Sequence, residues 1–179
     1  MNTSTDRIKV GISSCLLGAP VRFNGGHKQS HLCKTVLSQY FEYIPVCPEQ
    51  AIGLGTPREP IRLVGNTHNP RAVGTVNPDM DVSAALTAFG KTTAGAMTDI
   101  CGYILMQKSP SCGMERVKVY QDSGHTAEHG GVGLFAAALM QAQPHLPVEE
   151  DGRLNDPVLR ENFITRVFAY AKWRELLSS

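Results

Sequence analysis

The chain has 179 residues, of which 42% are hydrophobic, enough for one domain with a substantial core and too few for two large domains. Its 17 basic and 16 acidic side chains give a net charge of +1, which excludes a broad basic surface of the kind that holds nucleic acid polymers or anionic membranes. The polar N-terminus and the lack of a long apolar run predict neither a secretory signal nor a membrane span, so we expect a cytoplasmic protein.

The first half of the sequence is typical of alternating strands and helices. Residues 8–13, IKVGIS, form a β-branched run that predicts a buried strand, and a loop rich in Gly and Pro follows it. Residues 27–41 predict a helix with one apolar face, and YIPV at 43–46 predicts a second strand. IRLV at 61–64 and AVGTV at 72–76 predict the two strands of a small hairpin.

The second half begins with a long predicted helix at 79–98, rich in Ala, Leu and Met. CGYILMQ at 101–107 predicts the best core strand of the chain, and RVKVY at 116–120 predicts another. Residues 130–142 open on glycines and predict a helix. Their GGVGLFA segment follows the last strong strand instead of the first, so we interpret it as a tight turn and not as a dinucleotide-binding motif.

A final helix is predicted from Pro157 to about Leu177, with Asp156 as its N-cap. Its apolar stripe predicts packing on the domain or on a second copy, so a homodimer is one expected assembly. The alternation of strands and helices predicts an α/β fold, a Rossmann-like and mainly parallel sheet flanked by helices, plus this C-terminal helix. We expect a domain at 1–150, and a linker with the C-terminal helix at 151–179.

Three of the five cysteines follow predicted strands: Cys15 the first, Cys47 the second and Cys112 the strand at 101–107. Because loops at the carboxyl ends of parallel strands share one edge, we expect these three to lie close together. Each has Gly or Pro nearby, which lets backbone amides turn toward a thiolate. Cys33, inside a predicted helix, and Cys101, at the start of a core strand, are expected to be small buried hydrophobic residues.

Three neighbouring thiols leave several kinds of site open. A zinc site would need a fourth ligand, from His27, His31 or His68. A [4Fe–4S] cluster on three cysteines would leave one iron free to bind a substrate atom. A thiol enzyme would use one cysteine as nucleophile and a histidine as base. The chain has no CxxC pair, so the spacing alone does not choose among these.

Three blocks, SCLLGAPVRFNGGHK, VCPEQAIGLGTPREP and KSPSCG, carry a resemblance to a known family. In this order, within residues 8–145, they resemble the TudS-type thiouracil desulfidases. The resemblance implies an α/β fold, a [4Fe–4S] cluster on Cys15, Cys47 and Cys112, and an enzyme that removes thiocarbonyl sulfur from thiouracil-type bases or nucleotides, giving a uracil-type product and sulfide. The alternative is a non-enzymatic protein with a structural zinc or iron–sulfur site. The sequence after residue 152 resembles the connection to a second domain of longer relatives, which we expect to be absent here.

Polar residues in the same blocks are candidates for the chemistry. Glu49 follows Cys-Pro, where a carboxylate beside a cluster can activate water or move a proton. Ser109 and Ser111 flank Pro110 and can hydrogen-bond to sulfur or to substrate. Asn24 stands where many members of the resembled family have Asp. Its amide can orient a substrate but cannot act as a base.

The motif loops also carry the cations Arg22, Arg58 and Lys108. They predict a local basic pocket for a uracil oxygen or a nucleotide phosphate. The expected partner is therefore a small thiolated pyrimidine and not a nucleic acid polymer or a membrane.

Overall fold

The computed structural model describes residues 7–125 and 127–179, which form two four-stranded sheets with helices packed around them. The strands are β1 (Ile8–Ser13), β2 (Phe41–Val46), β3 (Ile61–Val64), β4 (Arg71–Gly74), β5 (Tyr103–Leu105), β6 (Val117–Tyr120), β7 (Ala127–Gly131) and β8 (Val148–Glu150). The α-helices are α1 (Pro48–Ala51), α2 (Ser83–Ala96), α3 (Leu134–Ala142) and α4 (Pro157–Ser178).

The first sheet has the strand order β2-β1-β5-β8, and every neighbouring pair in it is parallel. Successive side chains of β5 point to opposite faces of this sheet. Ile104 packs in the core beside α4, whereas Tyr103 and Leu105 pack in the core beside α3. The predicted α/β fold with a mainly parallel sheet is confirmed. Because the strands are parallel, their carboxyl ends all lie at one edge of the sheet.

The second sheet, of order β4-β3-β6-β7, was not predicted as a separate sheet. Its β3 and β4 form the predicted antiparallel hairpin. β6 pairs with β3 in parallel, and β7 pairs with β6 in the antiparallel direction as an edge strand. β7 (AEHGG) and β8 (VEE) lack the apolar pattern of a buried strand. β8 is nevertheless buried because Glu149 accepts a hydrogen bond from Arg153 Nε at 2.6 Å and Glu150 accepts one from the Met114 amide at 3.1 Å.

The predicted helix at 27–41 is wrong in length and type. A short wide turn at Leu32–Val36 and a tighter one at Leu37–Gln39 replace it, and Phe41 already belongs to β2. The start of the segment is held by the loop after β1. The amides of Lys28 and Ser30 donate to the carbonyls of Cys15 at 3.0 Å and Leu16 at 2.8 Å, and residues 27–30 follow a non-helical course along this loop.

The C-terminal helix α4 packs on the first sheet. Asp156 is its N-cap, as predicted, and its side chain accepts hydrogen bonds from the amides of Val158 and Leu159. Phe163 and Val167 are 0% exposed, and the ring of Phe163 meets that of Phe41 edge-on at 6.1 Å. Near its end Arg174 donates to backbone carbonyls before β5. In the described ranges, no helix has both the length and the apolar character needed to cross a membrane.

We expect Phe163→Ala to lower the free energy of unfolding by about 3–5 kcal/mol, because it leaves a cavity between α4 and the sheet. Phe168→Ala is the matched control on the same helix: Phe168 is 45% exposed, and its loss should cost only about 1 kcal/mol. Urea unfolding of both variants measures this difference. Equal losses would show that α4 is not anchored through Phe163.

Candidate active site

A cavity of about 390 Å³ lies at the carboxyl edge of the first sheet. It is lined by the last residues of β1 and β2 and by the loop that follows β5. Cys15, Cys47 and Cys112 all line it. The structure thus brings together the three cysteines that follow strands, whereas Cys33 and Cys101 are buried in the protein away from the cavity lining.

Each of the three thiols has a soft or polar neighbour. The Cys15 Sγ lies 3.7 Å from the Sδ of Met106, the first residue after β5. The half-buried Cys47 Sγ lies 3.8 Å from the Val21 carbonyl oxygen. The hydroxyl of Ser111 lies 3.8 Å from the Sγ of the buried Cys112.

Burial makes the thiols of Cys15 and Cys112 reluctant to ionise on their own. Burial, and after it a thiolate on Cys47, raise the pKa of Cys15 to about 11. Burial likewise raises the pKa of Cys112 to about 12, although hydrogen bonds with Ser13 and Ser111 act in the opposite direction. A positively charged group in the cavity, such as a metal centre, would favour ionisation of Cys15 and Cys112.

The donor set of the cavity consists of three thiols without a histidine. In residues 7–125 and 127–179, no three His, Cys, Asp or Glu side chains converge closely enough for one metal ion. Neither His27, His31 nor His68, the histidines considered for zinc, lines the cavity. The three thiols instead face one shared space, and thiolate is the usual ligand of iron–sulfur clusters.

Glu49 is the carboxylate of the cavity, in the first turn of α1. Its Oε2 accepts a hydrogen bond from Arg58 Nε at 2.8 Å, and its Oε1 accepts one from the Ser111 hydroxyl at 2.9 Å. The Glu49 side chain is 14% exposed and that of Arg58 is 6% exposed. The two contacts fix the plane of the carboxylate and leave it lone pairs for a water molecule or a substrate.

The two serines order the loop that carries Cys112. The Ser109 Oγ accepts hydrogen bonds from the amides of Ser111 at 3.2 Å and of Cys112 at 3.0 Å. It also lies 3.0 Å from the Ser111 Oγ. With its lone pairs engaged, the Ser109 hydroxyl donates to Ser111, and Ser111 in turn donates to Glu49.

The predicted cations line the cavity, but they differ in their partners. Arg58 is engaged by Glu49, whereas the guanidinium of Arg22 lies over the Phe23 ring at 5.9 Å. Lys108 adopts a left-handed backbone with φ of 61°, which is uncommon for a residue with a side chain and is typical of functional sites. Lys28 is a further cation of the lining.

Asn24 does not line the cavity. Its Oδ1 accepts a hydrogen bond from the amide of Gly26 at 2.9 Å, which closes the exposed loop after Phe23. This hydrogen bond stabilises the loop. The predicted catalytic role of Asn24 stays a prediction.

Two residues beside Cys112 were missed by the sequence analysis. Ser13, at the end of β1, is buried and accepts a hydrogen bond from the Met106 amide at 3.0 Å. Gly133 precedes α3, where a Cβ would overlap the backbone of Ser111 and Cys112. Gly133, the last glycine of GGVG, thus allows close packing behind the cysteine loop. The only feature of the sequence that pointed to Ser13 was its position as the last residue of the first predicted strand.

The cluster-free protein should show an order of thiol reactivity. A pKa of about 11 at Cys15, against an ordinary 9.0, lowers its thiolate fraction near neutral pH by about 100-fold. We therefore expect iodoacetamide to modify the half-exposed Cys47 first, and modification of Cys15 to accelerate as the pH rises toward 11. Peptide mass spectrometry over time measures the order. Reaction of Cys15 as fast as that of Cys47 at neutral pH would contradict the described burial.

A family model covering most of the chain shows the family of this protein. The profile of the 2-thiouracil desulfurase family matches residues 10–151. An uncharacterized protein, YbbK of Bacillus subtilis (strain 168), is 32% identical over 151 residues, which cover 81% of this chain and 97% of YbbK. The structure of the [4Fe-4S]-dependent thiouracil desulfidase TudS is similar, with a TM-score of 0.64 and 27% identity over 87% of this chain and 99% of that one.

Proposed function

Because this chain belongs to the 2-thiouracil desulfurase family, we propose that it is an iron–sulfur-dependent desulfidase acting on small thiolated pyrimidines in the cytoplasm. The net reaction exchanges the thiocarbonyl sulfur for the oxygen of water and gives a uracil-type product and hydrogen sulfide. One observation carries the proposal: three cysteines from three strand ends share a cavity with an anchored carboxylate.

Cys15, Cys47 and Cys112 are the residues that would hold a [4Fe–4S] cluster. When bound, it would supply an iron without a protein ligand, a Lewis acid for the thiocarbonyl and an acceptor for its sulfur. The likeness to a [4Fe-4S]-dependent enzyme supports this cluster type. Lining residues that are apolar or sulfur-bearing, such as Val21, Val46 and Met106, shield the thiols from bulk water.

Glu49 is proposed as the general base. Arg58 and Ser111 hold its two oxygens at 2.8 and 2.9 Å, so the carboxylate does not rotate away from the cavity. A water molecule bound to a free lone pair of Glu49 can lose a proton as it attacks the ring carbon. Both water protons finally leave with the sulfur as hydrogen sulfide, and Glu49 is the carboxylate of the cavity lining that can carry them.

The charge of the lining favours an anionic substrate. Arg22, Lys28 and Lys108 face the cavity, while the charge of Glu49 is offset by Arg58. A phosphate group would complement these cations, so a thiolated nucleotide fits the site as well as a free base does. The cavity volume of about 390 Å³ is within the ordinary range of small-molecule sites.

The proposal is tested with protein reconstituted under anaerobic conditions and offered 2-thiouracil, 4-thiouridine and 4-thiouridine monophosphate. We expect at least one to yield its oxygen counterpart, with an equal amount of sulfide. Lys108→Ala should raise KM for the monophosphate and leave the KM for the free base unchanged. A protein that binds zinc in place of iron and converts none of the three would favour a structural metal site.

A further inference from the structure

Phe23 is an aromatic residue of the cavity lining that lies outside the protein core. It is 37% exposed, and it lines the cavity together with Glu49 and the three cysteines. Within residues 7–125 and 127–179, it belongs neither to a buried apolar cluster nor to the partly buried side chains packed against one. Its ring is therefore not committed to holding the fold together and is available to a bound molecule.

The ring is presented by a closed turn at residues 22–26. The amide of Gly25 donates to the Arg22 carbonyl at 2.8 Å, and the Arg22 amide donates to the Gly26 carbonyl at 3.0 Å. Gly25 has a φ of 78°, which a residue with a side chain rarely adopts, so glycine allows the turn to close. The Arg22 guanidinium lies 5.9 Å from the centroid of the Phe23 ring, within the range of a cation–π contact. An aromatic ring held in this way loses little freedom when a ligand binds.

The same turn is connected to both parts of the proposed chemistry. The carbonyl oxygen of Val21, two residues before Phe23, lies 3.8 Å from the Sγ of Cys47. The carbonyl of Phe23 accepts a hydrogen bond from the Arg58 amide at 2.7 Å, and the Arg58 side chain holds Glu49. Phe23 is thus tied to a proposed cluster ligand on one side and to the proposed base on the other, and the reacting ring of a substrate must lie between these two groups.

We propose that the Phe23 ring stacks on the pyrimidine ring of the substrate and selects planar, aromatic thiocarbonyl compounds. The inference rests on the proposed function, which supplies the identity of the ring. Aromatic side chains hold bases of any kind by stacking, because every base has a π face. A pyrimidine whose C5–C6 bond is reduced is neither planar nor aromatic and stacks less well. Phe23 carries no proton to transfer, so it acts on binding and specificity while Glu49 keeps the role of the base.

The test measures binding apart from chemistry, with the product uracil and its reduced analogue 5,6-dihydrouracil as probes. Calorimetric titrations compare the reconstituted wild type, Phe23→Ala and Phe23→Tyr. We expect the wild type to bind uracil more tightly than dihydrouracil. Phe23→Ala should bind uracil about 5- to 150-fold more weakly, the usual loss for one base–aromatic stack, and should lose the preference for uracil. Phe23→Tyr should retain the affinity and the preference, and all three proteins should carry the same amount of iron.

Tyr40→Ala is the matched control, because Tyr40 is 42% exposed and does not line the cavity. Its affinity for uracil should equal that of the wild type. A wild type without a preference for uracil, or a Phe23→Ala variant that keeps the preference, would overturn the inference and leave the proposed function standing. A loaded wild type that binds uracil through Phe23 but converts no thiouracil would overturn the proposed desulfidation and leave the stacking contact in place.

Discussion

Replacement of Cys15, Cys47 or Cys112 by serine is expected to remove most of the iron from the reconstituted protein and to abolish desulfidation. Each of these cysteines lines the same cavity from a different strand end. A serine hydroxyl stays protonated where a thiol would ionise against iron, and it is a poor substitute for a soft thiolate ligand. Iron and acid-labile sulfide per chain, together with the visible absorption of the protein, measure the loss.

Cys33→Ser and Cys101→Ser are the matched controls for this series. Both residues are buried outside the cavity lining, so their replacement should cost on the order of 1 kcal/mol in stability and leave the iron content intact. A Cys33 variant that loses the cluster, or a Cys47 variant that keeps it, would show that the ligands have been assigned wrongly.

Glu49→Gln is expected to retain the cluster and to lose about 100- to 10,000-fold in kcat, the usual effect of removing a general base. The glutamine amide fills the same space but has lost the basic oxygen. Product and sulfide should fall together because both depend on the attack by water. The measurement is kcat per bound iron, which separates chemistry from incomplete loading.

Glu59→Gln is the control for a hydrogen-bonded carboxylate that lies off the cavity. Its Oε2 accepts hydrogen bonds from the amides of Val76 at 2.7 Å and Asn77 at 2.8 Å, and a glutamine keeps one such acceptor. We expect its kcat to stay near that of the wild type.

Asn24→Asp should retain or raise activity if Asn24 replaces an acid of the family. For Glu49→Gln, normal turnover by the cluster-loaded variant would show that Glu49 is not the general base.

The fold could be predicted where a segment carries its own pattern. Strands were predicted correctly from the β-branched runs of β1 and β3 and from the long apolar segment that contains β5. The start of α4 was predicted from its N-cap, Asp156. β8 could not be predicted, because its two glutamates are buried only through partners elsewhere in the chain. The helix expected at 27–41 failed for a related reason, because residues 27–30 follow a non-helical course along the loop after β1.

The candidate site was predictable in its ligands and less so in its surroundings. Cys15, Cys47 and Cys112 follow strands directly or within one loop, so parallel topology alone brings them together. The pairing of Arg58 with Glu49 depends on how the loop that carries Arg58 folds back toward α1, which no spacing reveals.

The most direct test of the proposed desulfidase is anaerobic turnover by the reconstituted wild type, with the uracil-type product and sulfide quantified in the same sample. A cluster held by three cysteines beside Glu49 predicts repeated turnovers, one sulfide for each product, and no reaction by the same protein after its iron has been removed. A fully loaded protein that leaves 2-thiouracil, 4-thiouridine and 4-thiouridine monophosphate unchanged would contradict it and leave the cluster a structural role.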